Sequence, residues 1–324
     1  MSDLALLVDL DGATLDASDG DVLTLRRSDG TAVSRVGLRA IDSVVIDASA
    51  SITSQALRQM AKCGVGLVVV GNGRHADVFW MQPAGAAAHL RHAQHLAVAN
   101  IEKRLVLARH VLHAKLTAQE EVLERCGAPA AAAVLVAATA RLAKVQELAG
   151  LRGVEGAAAR VYWASWGRQW PADWQFSSRN RRPPGDPINA LLSLGYTLAT
   201  SEATRQAAAV GFDPWLGIVH ETRPPAVALA LDLVEGARPV VDEWVSQLVQ
   251  RESLRPEHFV AQDDGGVRLQ AERRRGMYAD WFSHGLPAVR QRLRHGLRAF
   301  TALLTSMSDN NPHWAAANAD DDQD

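Results

Sequence analysis

Residues 211–241 read GFDPWLGIVHETRPPAVALALDLVEGARPVV, and the rest of the chain is organised around them. A loop punctuated by glycine and proline delivers His220, two prolines follow, and an apolar segment then carries Asp232 and Glu235. Pro224 and Pro225 cannot sit inside a helix, but Pro225 suits a first helical position, with Thr222 close by as a cap. The run from Val227 to Leu231, continued by Leu233 and Val234, predicts a mostly buried helix. Asp232 and Glu235 are three apart and so share one face of it. Buried carboxylates are costly unless they are paired or bound to a metal. Two explanations stand on this pattern: an i,i+3 ion pair between Glu235 and Arg238 at a helix end, or a metal site.

With 324 residues the chain can form one large domain or two ordinary ones. The formal net charge is −2, so nucleic-acid binding has to come from local basic patches and not from a global field. The two cysteines, Cys63 and Cys126, are far apart and lack metal-site spacing, which argues for a reducing compartment without a disulfide framework. No charged-then-apolar leader opens the sequence and no run of eighteen apolar residues occurs, so the expectation is a soluble, cytoplasmic protein.

Residues 1–83 read as a small β-rich domain. LALLVDL, DVLTLRR, TAVSRVGL and SVVID are short apolar or alternating runs separated by Asp-Gly turns, a hairpin signature. SQALRQMAK is a helix with Thr53 as N-cap and Gly64 beyond its end, and GLVVV and ADVFWMQ are further strands. Strands in succession favour this reading over a doubly wound sheet. VDLDGATLD looks like the motif of haloacid-dehalogenase-type phosphatases, with Asp9 as nucleophile and Asp11 as acid/base. That family expects threonine where this chain has Ala13, and a helix where DVLTLRRSDGT reads as a hairpin, so an Asp-Gly turn at a strand end is the expectation.

Residues 84–308 read as a large all-α domain. Up to Gly150 the sequence is alanine-rich and helix-periodic, with a break near Gly127 and Pro129. His89, His92 and His95 drift around a helix with no interleaved carboxylate, which points to a solvated or interface face and not to zinc. LRGVEGAAARVYW (151–163) then places Glu155 on a helix with little side-chain bulk around it. Arg160, Arg168, Arg179, Arg181 and Arg182 are interleaved with Trp163, Trp166, Trp170 and Trp174 against a single acid, Asp173. Guanidinium forks suit phosphates and rings suit exposed bases, so the arginines are assigned to DNA. Trp163 and Trp166 read as core, with Trp170 and Trp174 open to either role. Asp186-Pro187 opens another helix, running to about Val210. Further on, HFVAQDDGGVRLQ reads as a hairpin, and Arg273, Arg274 and Arg275 form a second basic cluster ahead of a final helix. Residues 309–324 read as a disordered acidic tail.

Glu155, His220 and Glu235, with Asp232 beside them, resemble the metal-binding triad of the CRISPR spacer-acquisition integrase family, Cas1. The resemblance extends to FSSRNRRPPGDPINALLSLGYTL (176–198), which is similar to the family's F-x-x-R…P-x-D-P-x-N-x-x-L…G-Y segment, and to GFDPWLGIVH. It is strongest over residues 150–245, and some relatives carry aspartate at the position of Glu235.

The resemblance implies an α+β protein whose helical domain carries the metal site. Glu155, His220 and Glu235 would be ligands and Asp232 a supporting group behind them. Two oxygen donors and an imidazole suit Mg²⁺ or Mn²⁺. The implied activity is a metal-dependent endonuclease and integrase that inserts captured DNA, double-stranded with 3′ overhangs, into the repeat of a CRISPR array by 3′-hydroxyl transesterification. The implied DNA contacts are Arg179, Arg181, Arg182, Arg273 and Arg274. The implied partners are a second copy of the chain, joined through the β-rich domains, and a small Cas2 dimer, with no membrane involved. The alternatives are the phosphatase and a non-catalytic DNA-binding scaffold.

Overall fold

The computed structural model describes residues 5–41, 43–70, 78–81, 88–180, 183–223, 226–263 and 265–307. The chain is mixed α+β and divides into two compact units, Met1–Ala84 with Ala271–Pro287, and Gly85–Gln270 with Ala288–Asp324. The tail expected at 309–324 lies outside the described residues.

The first unit contains β1 (Ala5–Val8), β2 (Thr14–Asp19), β3 (Val22–Arg26), β4 (Ala32–Gly37), β5 (Ser43–Ile46), β6 (Ser51–Ile52), α1 (Ser54–Cys63), β7 (Gly66–Val70) and β8 (Val78–Met81). The expected hairpins are present only in part. β3 pairs antiparallel with β2 and β4 in one sheet, ordered β4-β3-β2-β6. β1 instead pairs in parallel with β5, and β5 with β7, in a second sheet closed by antiparallel β8. The reason lies in the residues: ALLV, SVVI and GLVVV are continuous apolar runs, which suit parallel strands covered on both faces. β5 is buried along its whole length. Asp11 and Gly12 turn the chain from one sheet to the other, with Gly12 at φ 74° and Asp11 Oδ1 accepting the Ser49 amide at 2.7 Å. The chain then enters the β2–β3 hairpin, and the local structure around Asp9 and Asp11 is that of a turn. Val8, Leu15, Leu23, Leu38, Val44 and Met60 form the core. α1 is capped as expected, with Thr53 accepting the Ala56 amide at 3.1 Å and Gly64 left-handed.

The second unit is helical. α2 (Ala88–Ala99), α3 (Ile101–Arg125), α4 (Pro129–Leu142), α5 (Leu148–Trp166) and α6 (Pro187–Val210) are followed by α7 (Ala228–Glu235), α8 (Arg238–Gln250) and a β9–β10 hairpin (Phe259–Ala261, Val267–Leu269). Asp186 caps α6 by accepting the Asn189 amide at 2.8 Å, with Pro187 at the first helical position, as the sequence predicts. α6 is buried on nearly every side, and Gly195 lets α8 approach: a Cβ there would stand 2.6 Å from Val241 Cγ1.

Two expectations are corrected. α7 begins at Ala228, with Pro224 and Pro225 outside the described residues, and the Thr222 hydroxyl takes the Gly217 amide at 3.3 Å instead of capping a helix. Residues 271–287, read as part of the helical domain, belong to the first unit. There α9 (Ala271–Asp280) is tied to β5's end by Tyr278 Oη donating to Asp47 Oδ2 at 2.8 Å. A π-helical turn, Trp281–Gly285, separates α9 from α10 (Leu286–Ser306).

Candidate metal centre

The loop 211–220 is pinned by polar side chains of the surrounding helices. Gln94 of α2, fully buried, donates to the carbonyls of Asp213 at 2.9 Å and Leu216 at 2.8 Å and accepts the Asp213 amide at 2.8 Å. Arg104 of α3 donates to the Ile218 carbonyl at 2.8 Å, and Arg152 of α5 to the Val219 carbonyl at 2.7 Å. From the other side Asp232 of α7 accepts the amides of Ile218, Val219 and His220 at 2.5, 3.1 and 2.9 Å. Gly217 is required by close approach: a Cβ there would collide with the His220 carbonyl and with Ala228 Cβ.

His220 is thereby presented in one orientation. Its Nδ1 lies 2.6 Å from Asp232 Oδ1. A carboxylate only accepts, so Nδ1 carries the proton, and in the neutral imidazole the lone pair is on Nε2. Nε2 faces Glu235 Oε1 at 3.9 Å.

Glu155 of α5 and Glu235 of α7 meet through a residue that the sequence reading did not single out. Lys115 of α3 places its Nζ 2.5 Å from Glu155 Oε1 and 2.6 Å from Glu235 Oε2. With Glu155 the contact is a short hydrogen bond; with Glu235 Oε2 it is an ion pair. Arg238 donates to the other oxygen of Glu235 at 2.9 Å, so the i,i+3 ion pair also exists. Burial pushes the Glu235 carboxyl up, but the charges of Arg238 and Lys115 outweigh it and hold the group well below the usual carboxylate range. Glu235 is buried, whereas Glu155 and His220 are partly exposed, so the group opens to solvent on one side.

Among the described residues, no three His, Cys, Asp or Glu side chains are gathered as an ion would hold them. The ammonium of Lys115 fills the gap between the carboxylates. The donor set nevertheless fits a hard divalent cation: two carboxylates from separate helices already converge on one positive charge, and an imidazole lone pair is aimed at the same group. Lys115 had a sequence signal that went unused, since it continues the buried stripe Ala108, Val111, Leu112, Gln119, Val122 at helical spacing.

Behind the site, Arg238 stacks on the Tyr196 ring at 4.6 Å, and Tyr196 and Tyr162 both donate to Asp242, Tyr162 at 2.6 Å. Arg179 lies across the same ring at 5.3 Å and donates to Asn189 Oδ1 at 2.7 Å and Ser193 Oγ at 3.1 Å. It therefore braces α6 as well as carrying charge. Arg181 and Arg182 lie outside the described residues. Arg273 and Arg274 sit on α9 in the first unit. Trp166 and Trp170 pack edge-on at 4.8 Å, and Trp174 is buried against Phe259, so both residues left open are packed against other aromatic rings. The histidines of α2 do not converge; His95 faces Asp213 at 3.5 Å.

A mixed α+β chain whose helical unit brings acidic and imidazole donors from three segments to one open face defines a candidate metal-dependent enzyme. The family of CRISPR associated protein Cas1 matches residues 6–282. A CRISPR-associated endonuclease Cas1 of Thermus thermophilus is 36% identical over 266 residues, covering 82% of this chain and 81% of that protein. One from Rhodospirillum rubrum is 35% identical over 285 residues, with 81% of each chain covered. The chain belongs to the Cas1 family. The fold agrees: a Cas1 protein from Thermotoga maritima superposes with a TM-score of 0.80 at 18% identity, over 93% of this chain and 97% of that one. A casposase bound to integration product gives 0.73 at 24% identity, over 92% and 83%. No helix among the described residues is long and apolar enough to cross a membrane.

Proposed function

We propose that this chain is a divalent-metal-dependent DNA endonuclease and integrase, with Glu155, His220 and Glu235 holding Mg²⁺ or Mn²⁺. The observation that carries the reading is the convergence of Glu155 and Glu235, from different helices, within 2.5 and 2.6 Å of a single cationic nitrogen, with His220 Nε2 facing Glu235. When bound, the cation would supply Lewis acidity for attack of a 3′-hydroxyl on a phosphodiester. The new bond joins the 3′ oxygen to phosphorus and the bond to the leaving oxygen breaks, so one phosphodiester replaces another and no nucleotide need be hydrolysed.

The chain's own residues prepare that step. Arg238 and Lys115 keep Glu235 ionised, Asp232 fixes the tautomer and position of His220, and the partly exposed edge at Glu155 and His220 admits the DNA backbone. Asp232 supports the ligands and does not ligate. Arg179, Arg181, Arg182, Arg273 and Arg274 contact DNA phosphates. The substrate is a duplex with 3′ overhangs and the target a CRISPR repeat; a second copy of the chain and a small Cas2 dimer complete the assembly. The names of related proteins support this reading: curated relatives are endonucleases, and one structure with a TM-score of 0.62 at 20% identity, covering 94% of this chain and 96% of that one, is a partial Cas6-RT-Cas1–Cas2 complex.

The test is joining of a labelled duplex with 3′ overhangs to a repeat-bearing plasmid in Mn²⁺. A 3′-hydroxyl donor is expected to join and a 3′-phosphate donor to fail. Equal joining of both would exclude 3′-hydroxyl attack.

A further inference from the structure

Among the described residues, Lys115 is the one cation that touches both carboxylates of the proposed centre. Its side chain is 9% exposed and reaches them from α3, and α3 comes close to the end of α7 where a Cβ on Gly236 would meet Ala114 Cβ at 3.4 Å. Glu155 and Glu235 face two positive charges, Lys115 and Arg238, so these two carboxylates are balanced without any ion. A divalent cation entering among them would meet two like charges at close range, and one has to withdraw. Arg238 is committed to Glu235 Oε1 and to the Tyr196 ring. Lys115 ends in a compact ammonium on a flexible stem and can leave.

We propose that Lys115 is a built-in occupant of the cation site: its ammonium neutralises Glu155 and Glu235 before a divalent ion binds and is displaced when the ion enters. Lys115 thus keeps the two acidic groups assembled and soft-locks the site against weakly held cations. The inference rests on the metal reading of Glu155, His220 and Glu235.

Mn²⁺ binding to the full chain, measured calorimetrically, tests it without recourse to activity. The Lys115→Met variant is expected to bind Mn²⁺ at least about tenfold more tightly than the unmodified chain, because a like charge has been removed at contact distance. Its unfolding temperature is expected to be lower without Mn²⁺ and to rise more when Mn²⁺ is added. Equal or weaker affinity in the variant overturns the inference while leaving the metal site standing. Failure of the unmodified chain to bind Mn²⁺ at all overturns the metal reading and the inference with it.

Removing a buried partner can unfold a protein, so the unmodified chain supplies a second measurement. Reductive methylation followed by mass spectrometry should label Lys115 several-fold faster with Mg²⁺ than without, relative to the exposed Lys62 and Lys144. An unchanged or slower rate at Lys115 shows that its ammonium stays between the carboxylates, contrary to the proposal.

Discussion

Asp232 Oδ1 stands 2.6 Å from His220 Nδ1 and 2.9 Å from the His220 amide nitrogen, so one carboxylate fixes both the ring and the backbone of the same residue. Glu235, three residues further along α7, points instead at Lys115 and Arg238. The two acids on one helix face therefore divide their work. Asp232→Asn keeps the shape but weakens the hold on His220 Nδ1. It should cost about 10–100-fold in Mn²⁺ affinity or activity, as loss of a group behind a ligand does, and raising Mn²⁺ should recover part of it. Glu235→Gln should stay inactive at every Mn²⁺ concentration. Titrating strand transfer against Mn²⁺ for both variants separates the roles, and the reverse ranking would make Asp232 the ligand.

Gly217→Ala should disturb the same loop from inside. The added methyl meets Ala228 Cβ at 2.6 Å and the His220 carbonyl closer still, between α7 and a loop held at several points, so neither neighbour can yield freely. A destabilisation of about 1–3 kcal/mol is expected from overpacking, together with weaker Mn²⁺ binding. Denaturant unfolding and calorimetry check the two parts. Unchanged Mn²⁺ affinity would show that the His220 loop tolerates the shift.

Asp242 gives a pH dependence of known sign. Burial pushes its carboxyl up to about 7 from an ordinary 3.8, against the lowering effect of hydrogen bonds from Tyr162 and Tyr196. Between these values the folded chain keeps a proton that the unfolded chain has released, so this group's contribution to stability is lost as pH rises through the window. Asp242→Asn cannot titrate. The unfolding temperature of the unmodified chain relative to that variant should therefore fall from about pH 4 to about pH 8. A difference that does not vary with pH would mean that Asp242 is ionised throughout.

The arginines of 179–182 should part company. Arg181→Ala with Arg182→Ala is expected to weaken DNA binding with little sequence bias and to flatten its salt dependence, as the loss of phosphate contacts requires. Arg179→Ala should in addition lower the unfolding temperature, since Arg179 bonds Asn189 and Ser193 and lies over Tyr196. A salt slope identical to that of the unmodified chain in the Arg181/Arg182 pair would assign those residues to structure.

The sequence made the helical unit legible because its signals are local: Asp186-Pro187 caps α6 and Gly127 marks the break after α3. Asp232 and Glu235 were visible because carboxylates on an apolar helix need an explanation, whereas Glu155 and His220 joined them only through the resemblance to the Cas1 motifs. The pairing of β1 with β5 was not, since parallel partners lie far apart in the chain and a neighbouring Asp-Gly turn suggests a hairpin instead. Lys115 stayed hidden because a lysine on a long alkyl stem reads as surface, and only the three-dimensional approach of α3, α5 and α7 shows what its charge balances. Nor did Thr222 look other than a cap, because its bond to Gly217 depends on a loop closing back on itself.

The central claim is that Glu155, His220 and Glu235 drive strand transfer only with a divalent ion. The direct measurement is joining of a 3′-hydroxyl DNA fragment to a repeat-bearing plasmid in Mn²⁺, in chelator, and in chelator followed by excess Mn²⁺, with Glu155→Gln in parallel. The expected result is joining in Mn²⁺, none in chelator, recovery on adding Mn²⁺ back, and none for the variant in any condition. Full joining in chelator would contradict the account.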